Sequence, residues 1–532
     1  MSVTEDRRTS YHRQAINASG TLRRVLDTVS ARILLAILFA SGLGIRVYHC
    51  TDPLLEFHPV RQYRAAMQAR ALYLQDEEGT PPIVRELALL NYSRLETLEP
   101  PILETMAATI YEWLEGEHLW VGRVLSIAAW MVGAAALFAA SSSLVGLTGA
   151  YVSVTLFLFN AFGIVASRSF QPDPLMVALT CVCLWLVVRA TSRGGSLLPA
   201  SVIGAAAMLV KPMALFFVLP CLMVGWWPAK GRTGTRKELM LLAAVTALPA
   251  ALYYAYTVML AHTIPSPFEH RVTPGLLTSW FFWHGWFERV RFVVGLEGVL
   301  AGIIGTALAR PGSLSRRVLV ALWIGYVVFC LTFPYHTATH DYYHLPLLIP
   351  ISLAAAAAVT RGGEVIAQLS HPRRAHAFVA AVIIALVTIG AVRALPILQS
   401  NWARREVAVY ERVGEIVSHD TRTVMLARDY GAALSYHGHL AGWPWPSKGD
   451  LSVNGALPSS SELPEWARAH VAAEARYRAS YADNTPSYFV ITDLDSLETQ
   501  PDLQRFLRDR FRLVARGSGY VIYDLRDSQH PY

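Results

Sequence analysis

The sequence predicts an α-helical polytopic membrane protein of about eleven transmembrane helices, followed by a small extracytoplasmic α/β domain. Three observations predict it. Of the 532 residues, 53% are hydrophobic and only 16% are charged, a balance that no water-soluble chain of this length could bury. Apolar runs of spanning length recur from Ala31 to about residue 397. After Asn401 the hydrophobicity falls and short β-like runs alternate with polar helical stretches. The expected division is 1–400 for the membrane domain and 401–532 for the α/β domain.

The membrane runs begin near Ala31, Leu119, Leu147, Pro174, Leu198, Met213, Glu238, Val290, Arg317, Leu345 and Ala377. The first follows an Arg-rich segment and lacks a small-residue cleavage site, so it reads as a retained span. With Arg7, Arg8, Arg13, Arg23 and Arg24 placed in the cytoplasm, alternate loops should be basic, and most are: Arg189/Arg193, Lys230/Arg232/Arg236/Lys237, Arg310/Arg316/Arg317 and Arg361/Arg373/Arg374. The Ser141–Gly146 turn is uncharged. The outer segments are then 50–118, 167–173, 263–288 and 335–344, with the Lys211-Pro212 junction and everything after about 397. The net charge of +7 is therefore orientational and does not point to nucleic acid. Placement is expected in a bacterial inner membrane, multi-pass, with the N-terminus cytoplasmic and the C-terminal domain periplasmic or extracellular.

In the long first loop, Tyr63–Leu74, Ile83–Leu95 and Ile102–Leu114 are amphipathic and separated by Pro-containing breaks. They predict helices lying on the membrane surface. Trp280, Phe281, Phe282, Trp283 and Trp286 predict an interfacial aromatic belt. All five cysteines lie in or beside apolar runs, which suggests neither a disulfide framework nor a Cys-based zinc site. In the tail, Thr423–Ala427, Tyr488–Thr492 and Tyr520–Tyr523 read as strands, and Glu465–Tyr481 and Pro501–Phe511 as helices.

Ionisable residues at the rim of apolar segments are costly unless paired and are functional candidates by default. They fall on one side of the membrane: Asp52, Glu56, His58 and Arg61 in the first loop; Glu99 before Pro100-Pro101; Arg168 and Asp173 between two spans; Lys211; and His340, Asp341, Tyr342, Tyr343 and His344. Plain alternatives exist for several: a Glu56–Arg61 ion pair fixing the loop, a helix-start acid at Glu99, an Arg168–Asp173 salt bridge, and snorkelling for Lys211. The His340/His344 spacing would set two imidazoles on one helical face and, with Asp341, suggest a divalent cation. No third ligand has a distinctive spacing, so neither metal nor cofactor is expected.

Glu56-Phe-His-Pro-Val-Arg-Gln resembles the acidic first-loop motif of the C-type (GT-C) glycosyltransferases, the superfamily of protein O-mannosyltransferases, aminoarabinose transferases and bacterial RgtA/B/C/D-like enzymes. Glu99-Pro-Pro, Arg168 to Leu186, Lys211-Pro-Met-Ala-Leu and His340-Asp-Tyr-Tyr-His-Leu-Pro resemble further segments of that superfamily in order, over roughly residues 31–400. The family's first-loop acid is usually Asp, so Asp52 stays in play beside Glu56. Where the aminoarabinose transferases carry Lys in X-Pro-Pro, this chain has Glu99. The resemblance implies an inverting glycosyltransferase that moves a sugar from a polyprenyl-phosphate donor to an acceptor hydroxyl on a glycan, lipid or protein. Catalysis would fall to Glu56, Glu99 or Asp52, with Glu56 the base. Phosphate binding would fall to Arg61, Arg168, Lys211, His340 and His344. His58, Asp173, Asp341, Tyr342 and Tyr343 would orient the sugar or the acceptor. A lipid-diphosphate-dependent glycan ligase and, more distantly, a multi-span transporter are the alternatives.

Overall fold

The computed structural model describes residues 29–75, 77, 79–95, 99–226, 235–260, 272–399, 402–451 and 471–528. The N-terminal arginines, Lys230, Arg232, residues 263–271, the boundary at 400/401 and the start of the expected helix at Glu465 lie outside them.

Among the described residues, eight helices are long and apolar enough to cross a membrane. One of these, α5 (Trp120–Phe159), is a helical hairpin. Gly146 sits at φ 85° between its limbs, Trp130 of one limb stacks on Phe157 of the other at 4.2 Å, and Ser141 donates to Ser153 at 2.9 Å. A side chain at that φ would be strained, which is why the turn needs glycine. With the shorter Leu198–Val210 and Pro212–Trp226, the described chain has eleven apolar helical segments. The others of spanning length are α1 (Val29–Val47), α7 (Pro172–Arg193), α10 (Arg236–Tyr254), α11 (Trp280–Leu308), α12 (Leu314–Thr332), α14 (Leu348–Leu369) and α15 (Pro372–Leu398). α6 (Ala161–Ala166), α8 (Leu198–Val210), α9 (Leu215–Trp226) and α13 (Pro334–Thr339) are short. Packing in lipid lacks a hydrophobic drive, and glycines let backbones touch: Gly133 faces Ala178, Gly305 faces Ala354, and Gly390 lies against the Phe159 carbonyl.

The ends of the bundle differ. Leu144, Val145, Arg310, Thr360 and Arg361 line one cavity and Ser142, Ser143, Arg189 and Arg193 another, so the basic loops share an end with the α5 turn. The polar motifs share the other.

The three stretches of the first loop are helices α2 (Pro59–Gln75), α3 (Pro82–Ser93) and α4 (Ile102–Trp113), and the first two begin on proline, whose missing N–H costs nothing there. α3 and α4 leave Ile83, Met106 and Trp113 exposed. α2 departs from the expected surface helix. Tyr63, Ala65, Ala66, Met67 and Ala69 are buried in one core with Tyr410, Val413 and Tyr436 of the C-terminal domain. A ridge of alanines lets a second domain close over it, so α2 is an internal layer.

The C-terminal domain opens with α16 (Trp402–Ile416). Its five strands are β1 (Thr423–Leu426), β2 (Gly442–Pro444), β3 (Tyr488–Ile491), β4 (Phe511–Gly517) and β5 (Tyr520–Ser528), in the order β2-β1-β3-β5-β4. β1 is parallel to β2 and β3; β5 is antiparallel to β3 and β4. Met425, Val490 and Ile522 face α2 and α16, and Val424, Leu426, Phe489 and Val521 face the other core, the two-residue period of a sheet covered on both sides. β2 and β4 are strands the sequence pattern does not announce: β2 has three residues, and edge strand β4 is largely exposed.

Candidate functional site

Buried arginines build the loop that carries Glu56. Arg123, in the first limb of α5, donates to the carbonyls of Cys50, Asp52 and Pro53 and, at 2.5 Å, to Glu56 Oε1. Arg168 donates to the carbonyls of Tyr48 at 2.6 Å and His49 at 2.8 Å, and its Nε lies 3.6 Å from Glu56 Oε1. Carbonyls in this run of turns have no ladder partner, and these guanidinia bond them. Asp52 is spent differently: one oxygen takes His49 Nδ1 at 2.8 Å and the other Arg404 of α16 at 2.6 Å. Burial alone would raise its carboxyl, but the hydrogen bonds from Arg404 and His49 outweigh it and hold the group below the usual range.

Two residues past Glu56, His58 stands at φ 41° and its Nε2 lies 2.5 Å from Asp341 Oδ1. Tyr342 joins this pair to the remaining cations. Its ring meets His58 at 4.8 Å, lies under Arg61 at 5.7 Å and under Lys211 at 5.2 Å. Lys211 also lies 4.9 Å from Tyr343 and bonds Asp173 at 2.7 Å, with both partners 1% exposed. Proline places that pair: Pro212 ends α8 at Lys211 and Pro172 starts α7 just before Asp173. The Arg61 guanidinium makes no hydrogen bond among the described residues and reaches Glu99 only at 3.8 Å. The Arg289 side chain, on α11, is within electrostatic reach of Asp341 and makes no hydrogen bond or ion pair among the described residues.

The Glu56, His58 and Asp341 side chains close the polar end of a cavity of about 730 Å³ between the second limb of α5, α6, α11, α14 and α15. The rest of its wall is mainly apolar, with Leu156, Phe159, Phe162, Val294, Leu386 and Ile389. Arg291 and Arg393 also line it, each paired with a glutamate, Glu288 and Glu297. At Gly295, φ 70°, α11 kinks along the cavity wall.

The family model for dolichyl-phosphate-mannose-protein mannosyltransferases matches residues 99–256. ArnT from Cupriavidus metallidurans, solved bound to undecaprenyl phosphate, superposes with a TM-score of 0.57 at 14% identity, covering 92% of this chain and 98% of that one. This chain has the GT-C fold. The Archaeoglobus fulgidus oligosaccharyltransferase, solved with zinc and sulfate, shares it at a TM-score of 0.52 and 12% identity, over 90% of this chain and 71% of that one. No curated protein matches by sequence.

The GT-C fold gathers the thirteen residues singled out in the sequence at one end of the bundle but does not hold them all open to a ligand. Glu56 pairs with Arg123 and Arg168, so the expected alternative, a Glu56–Arg61 pair, is not formed. Asp173 pairs with Lys211 instead of Arg168, and Lys211 is buried in that pair and does not snorkel. The shared helical face of His340 and His344 is also absent. His340 is extended at the end of α13, and a 3-10 turn, Asp341–Leu347, with three residues per turn puts the two rings in different places. His344 is fully buried, bonded to the Tyr326 hydroxyl and the Thr337 carbonyl, each at 2.7 Å. His340 contacts Thr339, and burial, then His58 and Arg61, push its pKa down to about 4, leaving it neutral at pH 7. No three His, Cys, Asp or Glu residues among the described residues are placed to hold a metal. Sequence reasoning missed Arg123 and Arg289. Arg123 is a lone arginine in an apolar run, which is the signal that could have found it, whereas Arg289 sits beside Glu288 and Arg291 and carries no such signal.

Proposed function

We propose that this protein is an inverting glycosyltransferase that moves a sugar from a polyprenyl-phosphate donor to an acceptor hydroxyl on the extracytoplasmic face of the inner membrane. The observation that carries the reading is the deep apolar cavity whose polar end holds a carboxylate, Glu56, beside His58 and Asp341. It suits a ligand with a long apolar chain and a reactive polar head. ArnT was solved with undecaprenyl phosphate and the archaeal enzyme with dolichol-phosphate and an inhibitory peptide, which supports a lipid phosphate here.

In this reading Glu56 takes the proton of the acceptor hydroxyl as its oxygen bonds to C1, opposite the breaking C1–O bond to phosphate, so the anomeric centre inverts. The leaving group is polyprenyl phosphate, and the open guanidinia of Arg61 and Arg289 take up its charge. Arg168 and Arg123 hold the Glu56 loop, and Asp52 ties it to α16. Glu99 steadies Arg61, and the Lys211–Asp173 pair steadies Tyr342 and Tyr343. His340 offers a neutral hydrogen-bonding ring, and His344 braces the turn behind it. No metal is invoked: fixed cations serve the leaving group.

Purified full-length protein incubated with a panel of polyprenyl-phosphate and polyprenyl-diphosphate sugars should bind, and slowly hydrolyse, one of the monophosphates. Turnover of diphosphates alone would favour the ligase alternative, and binding of neither class removes the proposal.

A further inference from the structure

At the end of the bundle opposite Glu56, the cavity between the α5 turn, the end of α11, the start of α12 and α14 has no part in the chemistry above. One wall is the N-terminus of α12, a helix of 19 residues. A tight turn presents it. Ser313 donates its N–H at 3.1 Å and its hydroxyl at 2.7 Å to the Arg310 carbonyl, and its Oγ accepts the Arg316 N–H at 3.2 Å. The N–H groups of Leu314 and Ser315 then have no partner among the described residues, and a helix start carries partial positive charge. The Ser315 side chain adds a second, separate observation. This residue is only 8% exposed and lines the cavity, yet its hydroxyl makes no hydrogen bond among the described residues. Burying a hydroxyl unpaired is costly unless something enters to meet it. Orientation of the chain accounts for the basic loops at this end but leaves Ser315 unexplained. Two guanidinia complete the lining. The Arg310 side chain makes no hydrogen bond or ion pair among the described residues, and Arg361 is paired with Glu364 at 2.6 Å, so the charge left over is positive.

We propose that this cavity holds the phosphate of an anionic membrane lipid. Backbone N–H groups at a helix start, a hydroxyl and a free guanidinium are donors of three kinds, a set that suits a phosphate with several oxygens. The cavity encloses about 280 Å³. One water needs only about 10–15 Å³, so there is room for the polar substituent that a lipid phosphate carries. The excess positive charge favours a neutral substituent such as glycerol over a cationic one such as choline. The lipid's chains have a place as well. Leu308 lines the cavity and is exposed, and Leu300, Ile303 and Ile304 continue the exposed apolar face of α11 at helical spacing. A phosphate seated here would join the α11–α12 turn to α14. The site is independent of the glycosyl-transfer reading, because no residue of the Glu56 end takes part in it.

The test is native mass spectrometry of the full-length protein in detergent with equimolar phosphatidylglycerol and phosphatidylcholine. Phosphatidylglycerol should be retained in preference, and excess inorganic phosphate, which has no chains to hold it, should not displace it. Arg310→Ala removes an exposed, unpaired side chain and Ser315→Ala one unpartnered hydroxyl, so both variants should fold. Retention of phosphatidylglycerol should fall by roughly tenfold in the first and several-fold in the second. Arg373→Ala, exposed at the same end but outside the cavity, should leave retention unchanged. Equal retention of the two lipids, or retention unaltered in both cavity variants, overturns the assignment. An equal loss in Arg373→Ala overturns it too, since the attraction would then belong to the basic loops at large. Displacement by inorganic phosphate overturns the lipid as occupant and makes the ligand a soluble phosphate.

Discussion

At the scale of single residues, the proposed reading gives Glu56 two duties, and one substitution tests both. Glu56→Gln should cut transfer by about 10³-fold while donor binding persists, because the amide cannot take a proton. It should also lower the melting temperature, since Arg123 and Arg168 lose their counter-charge. Near wild-type turnover by radiolabelled transfer assay would remove Glu56 as the base. Arg168 and Arg61 should diverge. Arg168→Ala breaks a buried pair and two carbonyl contacts and should cost about 3–5 kcal/mol of stability in thermal unfolding. Arg61→Ala should leave stability nearly unchanged and raise donor Kd by roughly tenfold. Glu104 makes a prediction about pH. Its folded pKa of about 7 exceeds the ordinary value of 4.5, so the folded state holds a proton the unfolded state has released. Stability should fall as pH rises from about 4.5 to about 7. Glu104→Gln should remove that decline, and melting curves equally steep in both proteins would count against the buried acid.

Helices and loops carry a second kind of constraint, close approach. Gly390 of α15 would place a Cβ 1.7 Å from the Phe159 carbonyl, at the wall of the large apolar cavity. Gly390→Leu should therefore force α15 off α5 and abolish donor binding, measured on whatever monodisperse protein is recovered, whereas Gly44→Leu on α1, which meets nothing within 4 Å, should be silent. The loop after β1 runs through Asp429, Tyr430 and Gly431 at φ 53°, 56° and 76°. Two non-glycine residues in the left-handed region cost about 1–2 kcal/mol each, and Asp429 lies within electrostatic reach of His58. That cost is met by the C-terminal domain in order to set this loop beside the membrane site.

For the whole molecule, the two domains are one structural unit. Tyr63 of α2 bonds His437 at 2.7 Å, Arg70 lies 3.6 Å over the Tyr436 ring, and Arg404 holds Asp52. Deleting residues 402–532 would expose the buried face of α2 and release the Asp52 end of the Glu56 loop. The truncated chain should aggregate or lose donor binding, and a monodisperse, donor-binding truncation would show that the domain is dispensable. Burial holds His437 down to about 3, so this contact persists unprotonated across the physiological range.

How much of this was legible in the sequence follows from the range of each force. Hydropathy and the placement of arginines are local quantities, so eleven apolar segments, their alternating ends and the rim on which Glu56, Arg168, Lys211 and His340 gather could be read along the chain. The resemblance of short motifs to GT-C enzymes was legible for the same reason. Partners could not be read. Which acid meets which cation depends on where residues 38 to 283 positions apart come to rest, and a one-dimensional pattern assigns Glu56 to its near neighbour Arg61 when tertiary packing gives it Arg123. The burial of α2 was equally hidden, because an alanine-rich amphipathic helix looks the same whether a membrane surface or a second domain covers it. Composition determined the solvent this protein lives in; only the packed structure decided which of its charges are spent on holding loops and which remain open to a substrate.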